Sequence, residues 1–280
     1  KITRTLTFTG TKRGLYQIDR LDLVSTDLFM KENLLDSVEN HAQLLVYPCT
    51  VDMERITVPF KSLMGMVLTR QYAYEDPFEF RGIRQYQSYD SMKDINWKAS
   101  AKTGEFKVNV HDYTARQEVV FLLNIKDETF LEYNNLKEES IRLVNSLAGL
   151  LSAKGVPVGL ISNGKDILTG EELVLDTGSG RPHMQAIREQ LARLDLKQQP
   201  RELFEVYGEY RKEKKQKADS VYYVMVSYSQ RKELYEDFKA ISHKGKGSMW
   251  LLPLINGMGQ RILPDMDIAI YRWEVPDERL

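Results

Sequence analysis

Hydrophobic and polar residues alternate along the first 60 positions, then from about position 119 fall into apolar blocks separated by amphipathic stretches. In the first region, residues 2–9 alternate with the two-residue period of a strand, and Thr11-Lys12-Arg13-Gly14 supplies a turn before a second run at 15–18. Residues 21–24 follow, and 43–47 form a short apolar strand stopped by Pro48. The pattern predicts a small β-rich, sandwich-like module over 1–60.

The later blocks predict a different architecture. Residues 119–123 are wholly apolar, as in a parallel strand buried on both faces. Leu136, Ile141, Val144, Leu147, Leu150 and Leu151 share one face of a helix over 136–153, with Gly155 where a C-terminal cap belongs. A strand at 156–161 ends in Ser162-Asn163-Gly164, and a shorter one is expected at 173–175. A helix over 182–194 follows Gly178-Ser179-Gly180, and further elements are a helix at 201–215, a strand at 221–226, a helix at 230–242 and a last central strand at 248–252. Strands alternating with helices imply a doubly wound, mostly parallel α/β sheet covered on both faces. This domain spans 118–280, and 61–117 connects it to the β-rich module.

Composition narrows the function classes. The 280 residues carry 39 Lys and Arg against 40 Asp and Glu, a net charge of −1, so no overall field draws the chain to nucleic acid. The one cysteine, Cys49, excludes an internal disulfide framework. No run of 18 apolar residues is present to cross a membrane. The opening Lys1 predicts that the sequence is a fragment of a longer protein.

Charged and aromatic residues are densest over 79–102. Arg84 offers a planar fork to a carboxylate such as Asp90 or Asp94, and Trp97 can bury a large surface while donating one hydrogen bond. The plainest expectation is an internal clamp, Arg84 pairing with Asp90 and Trp97 packing to fasten the segment to the α/β domain. The alternative is an exposed recognition surface for a partner. The stretch holds no His, no Cys and no base–nucleophile pair, so catalysis is not expected from it. His41, His111, His183 and His243 fall on separate predicted elements, and Gly178-Ser179-Gly180 lacks the spacing of a phosphate loop.

Glu79, Arg84, Tyr86, Asp90, Ile95, Trp97, Ser100 and Ala101 resemble the signature of the bacterial and archaeal family called domain of unknown function 58. The text IRQYQSYDSMKDINWKASAK departs from that signature at Tyr89, where glycine is usual, near Lys93, and at Lys102, where arginine is usual. Residues 13–29 and 44–50 are similar to the β-rich region that precedes the signature in that family.

The resemblance implies a domain like the von Willebrand factor A fold. It also implies attachment to a bacterial membrane through preceding helices, with the soluble region on the cytoplasmic face. Expected partners are a MoxR-type AAA+ ATPase and a transglutaminase-like membrane protein, and no enzymatic activity is implied. Domains of that fold often hold Mg²⁺ on an Asp-x-Ser-x-Ser motif after the first strand. Here Asn124, Lys126 and Glu128 stand in those places, and Lys126 would set a cation against a cation. Asn124, Asp127, Glu128, Ser179 and Ser227 are the donors left for an unorthodox site. The expectation is therefore a non-enzymatic protein-interaction module. The alternatives are a divalent-cation-dependent ligand-binding domain, or a cell-envelope hydrolase using Asp90, Asp94 or Asp127.

Overall fold

A computed structural model describes residues 5, 7, 9–26, 33–71, 80–87, 92–111, 118–128, 132–213, 221–244, 248–262 and 268–276. In chain order the elements are β1 (Gly14–Thr26), β2 (Asn33–Val46), α1 (Met53–Gln71), β3 (Phe80–Gln85), α2 (Trp97–Thr103), β4 (Lys107–His111), β5 (Glu118–Leu123) and α3 (Asn134–Ala153). There follow β6 (Val158–Asp166), β7 (Glu172–Gly178), α4 (Arg181–Arg193), β8 (Leu194–Asp195), α5 (Leu203–Glu213), β9 (Val221–Val226), α6 (Lys232–Lys244), β10 (Ser248–Ile255) and β11 (Ile268–Val275).

The main sheet has seven strands in the order β11-β10-β9-β5-β6-β7, with β8 also on β6. From β11 to β6 every neighbour is parallel, whereas β7 and β8 run antiparallel to β6. The alternation of side chains along β5 sorts the core into two layers. Val119, Phe121 and Leu123 face a cluster built with α1, α3 and α4. Val120 and Leu122 face a second one with α5 and α6. This is the mixed α/β architecture the apolar blocks predict. Gly155 ends α3 in a left-handed conformation at φ 77°, as expected of a glycine there.

Three expectations need correction. The sandwich-like module is, among the described residues, a single two-stranded antiparallel hairpin of β1 and β2 with no second layer. Residues 53–60 open α1 and do not form a strand. The β-branched Ile56-Thr57-Val58 and Pro59 hide this helix from a propensity reading, yet Ile56, Leu63 and Val67 are buried at helical spacing, and Asp52 accepts from the Glu54 amide at its start. The third is β11, which lies outside β10. Its half-exposed pattern, broken by Arg272 and Glu274, gives no continuous apolar run.

A two-stranded hairpin is marginal alone and needs an anchor. Arg13, with a side chain 6% exposed, supplies one just before β1. Its Nε meets Glu138 Oε2 on α3 at 2.8 Å, and its Nη1 donates to the carbonyls of Leu191 and Leu194, each at 2.9 Å. A cation on the last carbonyls of α4 also complements the helix dipole. After β2, the Pro48 carbonyl accepts from Asn145 and the Val51 amide donates to Ser146, both on α3.

Candidate functional site

The signature folds into a unit of its own, β3 paired antiparallel with β4 and α2 between them. Asn96 starts α2 by accepting the Ala99 amide at 2.9 Å, and its own backbone and side chain reach the Lys107 carbonyl and Asn109, both at 2.7 Å. Gly104 ends the helix in a left-handed conformation at φ 72°. Ile95 is buried and bridges Val108, and Ser100 Oγ donates to the Asn96 carbonyl while accepting the Lys107 amide. Signature residues Ile95 and Ser100 thus build the unit.

Others face outward. Trp97 is 62% exposed, so it does not act as the clamp expected from sequence. Its ring meets that of Phe106 edge-on at 6.3 Å, and Tyr86 meets the same phenylalanine at 6.3 Å. Trp97, Ser100, Ala101, Gly104, Glu105 and Phe106 line an open hollow of about 300 Å³. Arg84 is exposed on β3, its guanidinium donating to the Gln85 carbonyl at 3.1 Å. Glu79 and Asp90 lie outside the described residues, as does the Asp94 side chain, so the Arg84–Asp90 pair is not described. Sequence reasoning missed Phe106 and Asn96. The Asn96-Trp97 step was legible as a helix start, but nothing marked Phe106 as the residue Trp97 would meet.

The second site lies at the C-terminal edge of the main sheet, where the strand order reverses between β5 and β9 and open α/β sheets form a crevice. Asn124, Asn163 and Ser227 are fully buried there and satisfy one another. Asn124 donates to Ser227 Oγ at 2.9 Å and accepts from Asn163 at 2.8 Å, while Asn163 takes the Ile125 amide at 3.0 Å. Asp127 accepts from the buried Lys137 ammonium at 2.5 Å and from the Tyr228 hydroxyl, whose pKa is pushed up by burial and then by that carboxylate. Glu128 accepts from the Gln230 amide and from Arg261.

These donors do not fit Mg²⁺. The proposed set is split, because Ser179 follows β7, whose Gly178 pairs with Val158 at the opposite end of β6. Asn124 and Ser227 are bonded to each other, and the Asp127 carboxylate faces an ammonium group. Among the described residues no group of three His, Cys, Asp or Glu converges as metal ligands. An open crevice of about 490 Å³ remains, lined by Lys126, Asp127, Glu128, Glu132 and Lys137 and by residues 196–200. For the hydrolase alternative, the one fully described carboxylate of the three, Asp127, is held by Lys137 and Tyr228.

Glu202 ties the crevice together, bonding Lys126 at 2.7 Å and taking the Arg231 fork at 2.8 and 2.7 Å. Hydrogen bonding from Arg231 first, then Lys126, lowers its pKa from 4.5 to about 2, against desolvation. A depressed carboxylate pKa stabilises above the unfolded value and loses that contribution as pH falls through the folded one. E202Q is therefore expected to cost roughly 1 kcal/mol at neutral pH, after allowance for solvent screening. The difference from wild type should vanish as pH drops from 4.5 towards 2. Unfolding curves for both proteins across that range check this.

No helix among the described residues is long and apolar enough to cross a membrane. Comparison with curated proteins finds no match. A family model described as "Protein of unknown function DUF58" matches residues 82–246, from the signature strand β3 through α6, and on that match the chain belongs to this family.

Proposed function

We propose that the chain is a non-enzymatic interaction module, of von Willebrand factor A-like type, that docks a protein partner on its signature unit. The observation that carries this reading is Trp97, 62% exposed beside Phe106 at 58% over an open hollow. Large aromatics held rigidly at a surface are the usual anchors of protein interfaces, because they bury much area for little conformational entropy. Here α2 is fixed at both ends by Asn96 and Gly104, so the hollow is preorganised. The crevice of the main sheet supports a structural role, since Asp127, Glu128 and Glu202 are bonded to lysine, arginine, tyrosine and backbone groups.

We take the partner to be a MoxR-type AAA+ ATPase, with the module attached to the cytoplasmic face of a bacterial membrane by segments outside this chain. Co-purification of the full-length protein from its native cells tests this, with wild type compared with Trp97→Ala. The exposed position makes that substitution cost less than about 0.5 kcal/mol in stability. Recovery of the ATPase by wild type and at least a tenfold loss with W97A is the expected result. Equal recovery by both, or no ATPase with either, would overturn the proposal.

A further inference from the structure

Two exposed surfaces of this chain complement each other. Residues 80–111 carry six Lys and Arg against three Asp and Glu, whereas 14–46 carry two against six. On the signature unit, Lys98 and Lys102 stand one turn apart on α2, both exposed, flanking the Trp97–Ala101 row that borders the hollow. On the hairpin, Leu21, Leu23 and Val38 are 48%, 58% and 48% exposed. Two-residue alternation puts Asp19 on their face along β1, and Asp36 lies opposite Leu23 on β2. Arg20, the one described cation of the hairpin, is paired with Asp22. One surface is thus aromatic, with Lys98 and Lys102 outnumbering the one lining carboxylate, Glu105, which accepts from Gln85, and the other is aliphatic with an acidic border.

We infer that the hairpin of one copy docks, through Leu21, Leu23 and Val38, into the Trp97–Phe106 hollow of a second copy, with Asp19 and Asp36 against Lys98 and Lys102. This rests on the signature unit being a docking surface and names a second copy of the chain as an occupant of it. The two patches differ, so the contact is heterologous: each copy offers a free hairpin and a free hollow, and copies add head to tail. Association between separate copies grows with concentration. It also weakens with salt, as expected of exposed opposite charges.

A charge swap tests the pairing by sedimentation velocity on the full 280-residue chain. One variant carries Lys98→Glu and Lys102→Glu, the other Asp19→Lys and Asp36→Lys. All four sites are exposed, and far-ultraviolet circular dichroism checks that both variants are folded. Wild type should associate as concentration rises, and each variant alone should associate at least tenfold more weakly. Their equimolar mixture should regain association, because the reversed hollow of one meets the reversed hairpin of the other. Wild type that stays monomeric throughout overturns the inference. So does association that survives either reversal, or a mixture that fails to recover it. Loss of self-association with the ATPase still recovered through Trp97 would leave the proposed function standing and remove only the second copy.

Discussion

Replacing Lys137 with methionine should lower the unfolding free energy by about 3–5 kcal/mol, the usual cost of removing one member of a buried ion pair. Lys137 is 3% exposed on α3 and its ammonium sits 2.5 Å from Asp127. Without it, among the described residues the Asp127 carboxylate keeps the Tyr228 hydroxyl and the weak Tyr133 amide contact at 3.5 Å to offset its desolvation. Methionine fills most of the lysine volume, so the loss is electrostatic and not a cavity effect. Adding Asp127→Asn to K137M should therefore recover a large part of it, since the amide carries no charge and can still accept from Tyr228. Urea unfolding with an unchanged m-value would measure both steps. A K137M cost below about 1 kcal/mol would mean that the pair is screened by solvent.

Arg13→Met should cost about 2–3 kcal/mol, because it leaves the Leu191 and Leu194 carbonyls and the Glu138 carboxylate without their guanidinium partner. The loss should also be regional. β1 and β2 form a separate two-stranded sheet, and Arg13 is one of the anchors at its base. Hydrogen exchange should therefore show β1 and β2 amides losing protection while β5, β9 and β10 keep theirs, the signature of a subglobal opening. Loss of protection spread evenly over the main sheet would contradict the anchor role.

The sheet was legible in sequence where burial is complete. Residues 119–123 and 221–226 are apolar without a break because both faces are covered, and their strands β5 and β9 came out within a residue of expectation. Legibility fails where tertiary contacts override local preference. The β-branched start of α1 is helical because Ile56, Leu63 and Val67 reach the core shared with α3. The hairpin read as part of a sandwich because alternation reports one buried face, whereas Leu23 and Val24 are 58% and 65% exposed.

The same division runs through the sites. Lys126 at a cation position was visible as a conflict in sequence. That Lys137, ten residues beyond Asp127, delivers the ammonium to that carboxylate depends on how α3 returns over the sheet. Sequence offers Ser179 as a ligand, but the antiparallel course of β7 puts it at the other end of β6. In the signature, the side chains that fold the unit and those that face out look alike in sequence. Ile95 at 6% exposure and Trp97 at 62% are separated only by the turn that begins α2.

The central claim is that the Trp97–Phe106 surface is where a partner sits. Placing a photo-crosslinking amino acid at Phe106 of the full-length protein in its native cells tests it, with Ile167 as the control. Both positions are exposed, at 58% and 51%, and Ile167 follows β6 in the main sheet. The account predicts a discrete protein adduct from position 106, lost when Trp97→Ala is added, and none from 167. No adduct from 106, or the same adducts from both positions, would contradict it.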